Sequence, residues 1–393
     1  IQLINNSIKD NDGNGVYLDN IRNFKLIGND IKQNLKNGVV LCLRDNVFGN
    51  IETLDGQLLN NFIHLNGDNG VILDNRPLVS LEYLMIYDNP SYNPKFEYTM
   101  DIERRRQREI VYDGNFIFDN VKDGILGQGV FRNNKIFNNK HGIVCAFGKI
   151  NDNQIFNNVG TGVHSISGDI SNNIIHSNND GGIFCAQGKI YNNLIYNNLS
   201  EYFGGIQAGN VSNSYHYRPF DSLKITNNTI YGNNSLYGGA GGVLVERDKT
   251  IMANNILNNN TIQTLPNDVV GSDLLGAAVH KNNILQLKDV GMYSSSNGNE
   301  MLPGSSSNIF ISDPKFIDFN DPDGLDNRFG TEDDGFNLGP LSAAINSGVN
   351  GHKLGNRDMS GLFRIMGGNI DIGAYEKFDC GTITEVFVNP FAD

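Results

Sequence analysis

Apolar and polar positions in this chain recur as a fixed phrase: an Ile or Leu with Asn two residues before it and Asn three residues after it, as in Asn134, Ile136 and Asn139. The anchors are Ile8, Ile31, Ile63, Ile86, Ile117, Ile136, Ile155, Ile175, Ile195, Ile230, Leu257 and Leu285, with Leu84 the single departure at the minus-two position. At plus three, Asn is unbroken from Asn11 to Asn260 and gives way only at Lys288. Between anchors lie short runs of alternating apolar residues, such as Gly142-Ile143-Val144-Cys145 and Gly182-Ile183-Phe184-Cys185, broken by Gly and Asn. Alternation at period two predicts strands, and no stretch carries an apolar stripe at helical spacing.

Anchors stand 19 or 20 residues apart from Ile117 to Ile195 and 23 to 35 apart elsewhere, so one motif is embedded in connections of variable length. Repeats of that period mean a solenoid. Units of two or three short strands stack as an all-β, right-handed parallel β-helix of about twelve or thirteen coils, because parallel crossovers are right-handed. The interior becomes an Ile/Val column edged by Asn, which tolerates left-handed backbone and pairs with an identical amide one coil away. At a strand spacing of ~4.8 Å, twelve coils make a rod on the order of 55 Å long. The repeats occupy residues 1–310, a different C-terminal segment 311–378, and residues 379–393 read as a linker or the start of a following module.

Composition fits an ordered rod: 45 Gly, 10 Pro, no Trp and 39% hydrophobic residues in 393 positions. No apolar run approaches the roughly 18 residues of a membrane span. The net charge of −13 argues against nucleic acid and against unassisted binding of polyanionic polysaccharide. Cys145 and Cys185 share one repeat position two coils apart, too far for a disulfide, so they are expected as buried thiols, as are Cys42 and Cys380. Ile1-Gln2-Leu3-Ile4 already reads as a coil strand, which raises the expectation that further coils and a cap precede it.

The repeat gives way to Ser312-Asp313-Pro314-Lys315-Phe316, then to Asp321-Pro322-Asp323-Gly324-Leu325-Asp326 and Gly330-Thr331-Glu332-Asp333-Asp334-Gly335. Pro340-Leu341-Ser342-Ala343-Ala344-Ile345-Asn346-Ser347-Gly348 and Asp371-Ile372-Gly373-Ala374-Tyr375-Glu376 follow. This succession resembles the closing segment of secreted bacterial β-helix proteins with pectate-lyase-like repeats, the choice-of-anchor Q type. The resemblance implies a surface or secreted location and, with Thr384 to Asp393 similar to another opening strand, adjacent modules of the same polypeptide as partners. It implies no single activity.

Three sets of residues carry candidate chemistry. Asp321, Asp323, Asp326, Asp333 and Asp334, alternating with turn glycines, offer the oxygen-rich geometry calcium takes, and such an ion would be structural. One residue after the anchors, on the opposite strand face, the chain places a ring: His64, Tyr87, Phe118, Phe137, Phe156, His176, Tyr196 and Tyr231. Exposed, that row is a platform for glycans; covered, it is a second packing layer. Two long insertions interrupt the coils, Tyr92 to Glu109 and Tyr202 to Ser222, and the second holds His216, Tyr217 and Arg218. Those three supply the base and cation types a β-eliminating polysaccharide lyase or epimerase needs. No histidine pair has zinc spacing, and no phosphate loop or nucleophile elbow occurs. The expectation for function is a rigid structural and adhesive module, with polysaccharide lyase or epimerase as the alternative.

Overall fold

The computed structural model describes residues 1–19, 21, 23–42, 55–74, 109–209, 223–263, 273–286 and 307–377. The chain is a right-handed parallel β-helix. One sheet holds sixteen strands, a second holds twelve, and a third of three short strands runs along one corner. Every pairing between strands of these sheets is parallel, as in the register Phe118, Phe137, Phe156 and His176. Among the described residues the one helical element is a short turn at Asn350–His352, and no helix is long and apolar enough to cross a membrane.

A coil begins on the large sheet with a strand such as Val163–Ser171, whose pairing is interrupted at Ile166, and closes with a three-residue strand such as Ile174–His176 in the second sheet. Left-handed backbone flanks that short strand at Asn172 (φ 54) and Ser177 (φ 54), and equivalent residues flank it in coil after coil. This explains the Asn doublets. The first Asn takes the left-handed corner and points its side chain outward; the second turns inward.

The inward asparagines form two continuous ladders. Asn173 illustrates the geometry: its Oδ1 accepts the backbone N–H of Asn153 at 3.0 Å and Nδ2 of Asn153 at 2.9 Å. Its own Nδ2 donates to Ile150 O at 2.8 Å and to Asn193 Oδ1 at 3.0 Å. Both amide hydrogens and both lone pairs are thus satisfied in a residue that is 0% exposed, which is what lets a polar group sit in a core at no desolvation cost. The minus-two ladder runs on to Asn308, and the plus-three ladder ends where Asp273 accepts Asn260 Nδ2 at 2.8 Å. A carboxylate has no amide hydrogen to pass on, so it terminates the ladder.

The anchors stack in register through Ile8, Ile31, Ile63, Ile117, Ile136 and onward to Leu257, and from Ile31 to Leu257 each is 0% exposed. The sequence spacing expects a coil at Ile86 between Ile63 and Ile117. Ile86 lies outside the described residues, and the strands Phe62–His64 and Phe116–Phe118 are direct neighbours with no coil between them. The twelfth strand of the second sheet is instead Ile309–Phe310, paired to Ile284 and Leu285. The second insertion is also shorter than the spacing implies, because Ile206–Ala208 is a regular strand in register with Ile183 and Val243.

Cys145, Ser165 and Cys185 share one register position, and both thiols are free and buried, as expected from their spacing. His164 aligns with Val144 and Phe184 on the wall, and His141 sits in a turn where its Nδ1 accepts Thr161 N–H at 3.0 Å.

Candidate functional site

The outward face of the twelve-stranded sheet gathers the ring row, the acidic loop and the tail. Residues one after the anchors fall on this face, and the strand spacing forces equivalent rings to stack. His64 stacks on Phe118 at 4.6 Å, Phe118 on Phe137 at 4.8 Å and Phe137 on Phe156 at 4.9 Å. His176 continues the stack to Tyr196 at 4.7 Å. Interplanar angles between 1° and 15° mean that ring faces are spent on one another and that the row offers ring edges to the outside. Tyr87 lies outside the described residues, and the row passes from His64 straight to Phe118.

Burial divides the row. From His64 to His176 the rings are half-buried. Tyr196 and Tyr231, at 5% and 8% exposure, lie under the C-terminal segment, packed with Phe336, Ala374 and Tyr375. Farther along, Leu338, Ala344 and Ile372 cover Ile256 and Ile284. Exposure therefore changes along the row: it is a packing layer beneath the tail and a half-buried outward surface before it. Burial depresses the pKa of His176 to about 4, with the Lys135 charge adding to the effect, so at neutral pH this member is an uncharged ring.

Two exposed residues were not singled out by the repeat. Phe62 (47% exposed) and Phe116 (40%) occupy the position one before the anchor and stack at 5.1 Å. Their signal in the sequence is a large ring where the same column elsewhere carries Asp30, Lys135 or Gln154. Lys135 lies over the Phe156 ring, its Nζ 5.4 Å from the centroid.

The tail is held by the outward corner asparagines. Asn192 Nδ2 donates to Arg357 O at 2.7 Å, and Asn282 Nδ2 to Ser347 O at 2.8 Å. Asn254 reads both sides of one residue, donating to Val349 O at 3.2 Å and accepting Val349 N–H at 2.8 Å. The Asp371-Ile372-Gly373-Ala374-Tyr375-Glu376 run completes the clasp. Gly373, at φ 106, donates its N–H to Asn254 O, Ala374 N–H donates to Thr229 Oγ1, and Tyr375 OH donates to Asp334. Glu376 pairs with Arg364 at 2.9 Å, the two side chains 1% and 0% exposed. Arg364 also donates to Asn192 Oδ1 at 2.6 Å, tying the pair to the solenoid. Burial pushes the Glu376 pKa up to about 8 against the pull of Arg364, and raises those of Asp358 and Asp371.

In the acidic loop, Asp334 is 0% exposed and accepts the N–H groups of Gly330 and Thr331 as well as Tyr375 OH. Burial raises its pKa. Asp333 accepts Thr331 Oγ1 at 2.7 Å and Asp326 N–H at 3.1 Å, and Asp326 accepts Arg328 N–H at 2.8 Å. These are turn-closing contacts, and they engage both carboxylate oxygens of Asp333 and of Asp334 and one of Asp326. Among the described residues no group of three or more His, Cys, Asp or Glu side chains converges on a metal position. Asp321 and Asp323 are half-buried at the start of the loop. His216, Tyr217 and Arg218 lie outside the described residues.

No protein-family model matches this chain, and a search of curated proteins returns no significant match.

Proposed function

We propose that this chain is a rigid β-helix module of a secreted or surface-exposed bacterial protein, of the choice-of-anchor Q kind its tail resembles, serving as a structural and adhesive element. What carries the reading is the division of the outer face. The tail is clasped along its C-terminal half by the corner asparagines Asn192, Asn227, Asn254 and Asn282 and by the buried Arg364–Glu376 contact, whereas the stacked rings from His64 to His176 are left facing outward. A stiff core with satisfied ladders supplies reach, and an uncovered row of rings on that core supplies contact. Glycan contact receives less support than contact by another surface, because sugars stack on ring faces and these faces are occupied.

The test is antibody labelling of intact cells of the source organism, together with small-angle scattering of the purified chain. Surface labelling and an elongated particle are expected, since eleven intervals at ~4.8 Å give about 50 Å of stacked sheet. Labelling only after the cells are permeabilised would sink the proposal.

A structural calcium ion at the acidic loop is a second proposal. The loop's acidity supports it; its hydrogen bonding limits the ligands to Asp321, Asp323, Asp326 and backbone carbonyls. A melting temperature higher in millimolar calcium than in chelator, with the difference lost in Asp323→Asn, is the expected result.

A further inference from the structure

We infer that Asp123 is a proton-binding rung of the solenoid: its side chain holds a proton on the oxygen that faces Asn69 Oδ1, and closure of this corner depends on acidity through that proton. The inference stands apart from the surface-module reading, which neither requires nor excludes it.

A third, shorter column of amides lies two residues before the strands Val16–Asp19, Val39–Cys42 and Val71–Asp74. Asn37 donates its backbone N–H and its Nδ2 to Asn14 Oδ1 at 3.1 and 3.0 Å. Asn69 repeats the arrangement on Asn37 Oδ1 at 3.1 and 2.9 Å. Asp123 takes the next place, its N–H donating to Asn69 Oδ1 at 3.1 Å. Val16, Val39, Val71 and Ile125 pair in register, so Asn14, Asn37, Asn69 and Asp123 leave the backbone at equivalent points.

The polarity of the column sets Asp123 apart. Beside the second sheet each Asn accepts from the coil before it, and Asp273 ends such a ladder with its oxygens on the donors of Asn260 and Gln286. In the third column each residue donates to the coil before it. Where Asn37 and Asn69 offer an NH2 group, Asp123 therefore sets an oxygen against the oxygen of Asn69. Asp123 is 6% exposed, and its Oδ1 is enclosed without a hydrogen-bond partner. A proton on that carboxyl supplies the donor the column calls for and removes a buried charge in the same step.

The surrounding groups leave this need unmet. Lys122, on the same turn, pairs with Asp68 of the preceding coil at 3.0 Å, its side chain 54% exposed. Lys140 and His141 come from the following coil. Burial raises the Asp123 pKa to about 6, against the charges of Lys140 and Lys122 and the His141 N–H, which pull it down. Burial, helped by the Lys140 charge, depresses His141 to about 4, and its Nδ1 accepts Thr161 N–H at 3.0 Å. His141 thus stays neutral where Asp123 changes charge. Because the folded value of Asp123 lies above the ordinary 3.8, the corner is most stable below 3.8 and loses that contribution as pH rises through about 6.

The experiment follows hydrogen exchange of the residue 123 amide, corrected for its intrinsic rate, in the native chain and in Asp123→Asn, whose side chain carries the missing NH2 at every pH. Between about pH 5 and about pH 8, protection in the native chain is expected to fall about tenfold relative to the variant, for a carboxyl at about 6 folded and 3.8 unfolded. The variant is the better protected of the two at the upper pH. The same pH trend in both proteins overturns the inference. So does a variant less protected than the native chain at both pH values, since Asp123 then acts as an ionised partner of the lysines. Asp123→Ser, which also cannot titrate, replaces the variant if the amide is not tolerated. NMR titration of carbon-13-labelled aspartate carboxyls gives the second readout: a step near pH 6 that disappears in the variant is expected, and a missing step confined to the ordinary carboxylate range overturns the inference.

Discussion

Replacing Asn173 by Asp changes one NH2 group to an oxygen and nothing in shape, so it isolates the ladder from packing. The substituted side chain keeps the oxygen that accepts both donors of Asn153. Its second oxygen, however, now faces Ile150 O and Asn193 Oδ1, which were 2.8 and 3.0 Å from a donor. Two buried hydrogen bonds at about 1 kcal/mol each are lost, and acceptors are left opposed in a site with no water, for a total of about 3 to 5 kcal/mol at neutral pH. Low pH puts a proton on the carboxyl and restores one of the two bonds, so the defect shrinks as pH falls. The native Asp273 supplies the reciprocal case. Its oxygens accept Asn260 Nδ2 at 2.8 Å and Gln286 N–H at 2.9 Å, so Asp273→Asn sets an amide donor against a donor and costs about 1 to 3 kcal/mol. Asn6→Asp, at the exposed first rung, costs under about 1 kcal/mol. Urea midpoints, with hydrogen exchange of the Asn153 amide to localise the effect, provide the measurement. If Asn173→Asp lies within about 0.5 kcal/mol of the native chain, the account of the ladder as a chain of satisfied buried amides is wrong.

The clasp gives a pH dependence of opposite sense to that of ordinary surface carboxylates. Glu376 is raised from 4.5 to about 8, so the folded state holds the proton more tightly; tail docking is strongest below the unfolded pKa and is lost as pH rises through about 8. Protease nicking of residues 307–377 should accelerate between those limits, with a slope of at most about 1.4 kcal/mol per pH unit, and Glu376→Gln should flatten it. Arg364→Ala strips the buried donors from Gly373 O, Ala374 O, Asn192 Oδ1 and Glu376 and should release the tail at a cost of about 3 to 5 kcal/mol, seen as new nicking after residue 307 while the ladder amides stay protected. Burial pushes the thiols of Cys145 and Cys185 up to about 12 and about 11, so alkylation at neutral pH should proceed only through unfolding, at the same rate for both; fast labelling of either would contradict their place in the wall.

What the sequence made legible was whatever repeats locally. The anchors and both ladders are written in a six-residue phrase, and period-two alternation assigns the inward and outward sides of each strand. Even the misplaced coil had a warning in the chain: Ile86 is the anchor whose minus-two residue is Leu84, and a coil without that Asn cannot pass the ladder on. Conversely, Asn308 before Phe310 marks a rung that a search for Ile or Leu anchors overlooks. The tail's position was not legible, because it is held by contacts such as Asn227 to Asp371, 144 residues apart, that no local pattern encodes. Exposure of the ring row follows from where the tail lies and was hidden for the same reason.

The Asn doublet links these two levels. Its second residue is fixed by the ladder and has no freedom to change, whereas its first needs only to tolerate left-handed backbone, so its side chain is available to hold whatever lies outside. Asp152 and Gly114 occupy that corner where no tail passes, and Asn192, Asn227, Asn254 and Asn282 occupy it in unbroken succession where the tail does. The outer wall thus varies coil by coil without disturbing the core, and the tail shows how the chain uses that freedom: a run of outward amides beside outward rings makes a track for an extended backbone.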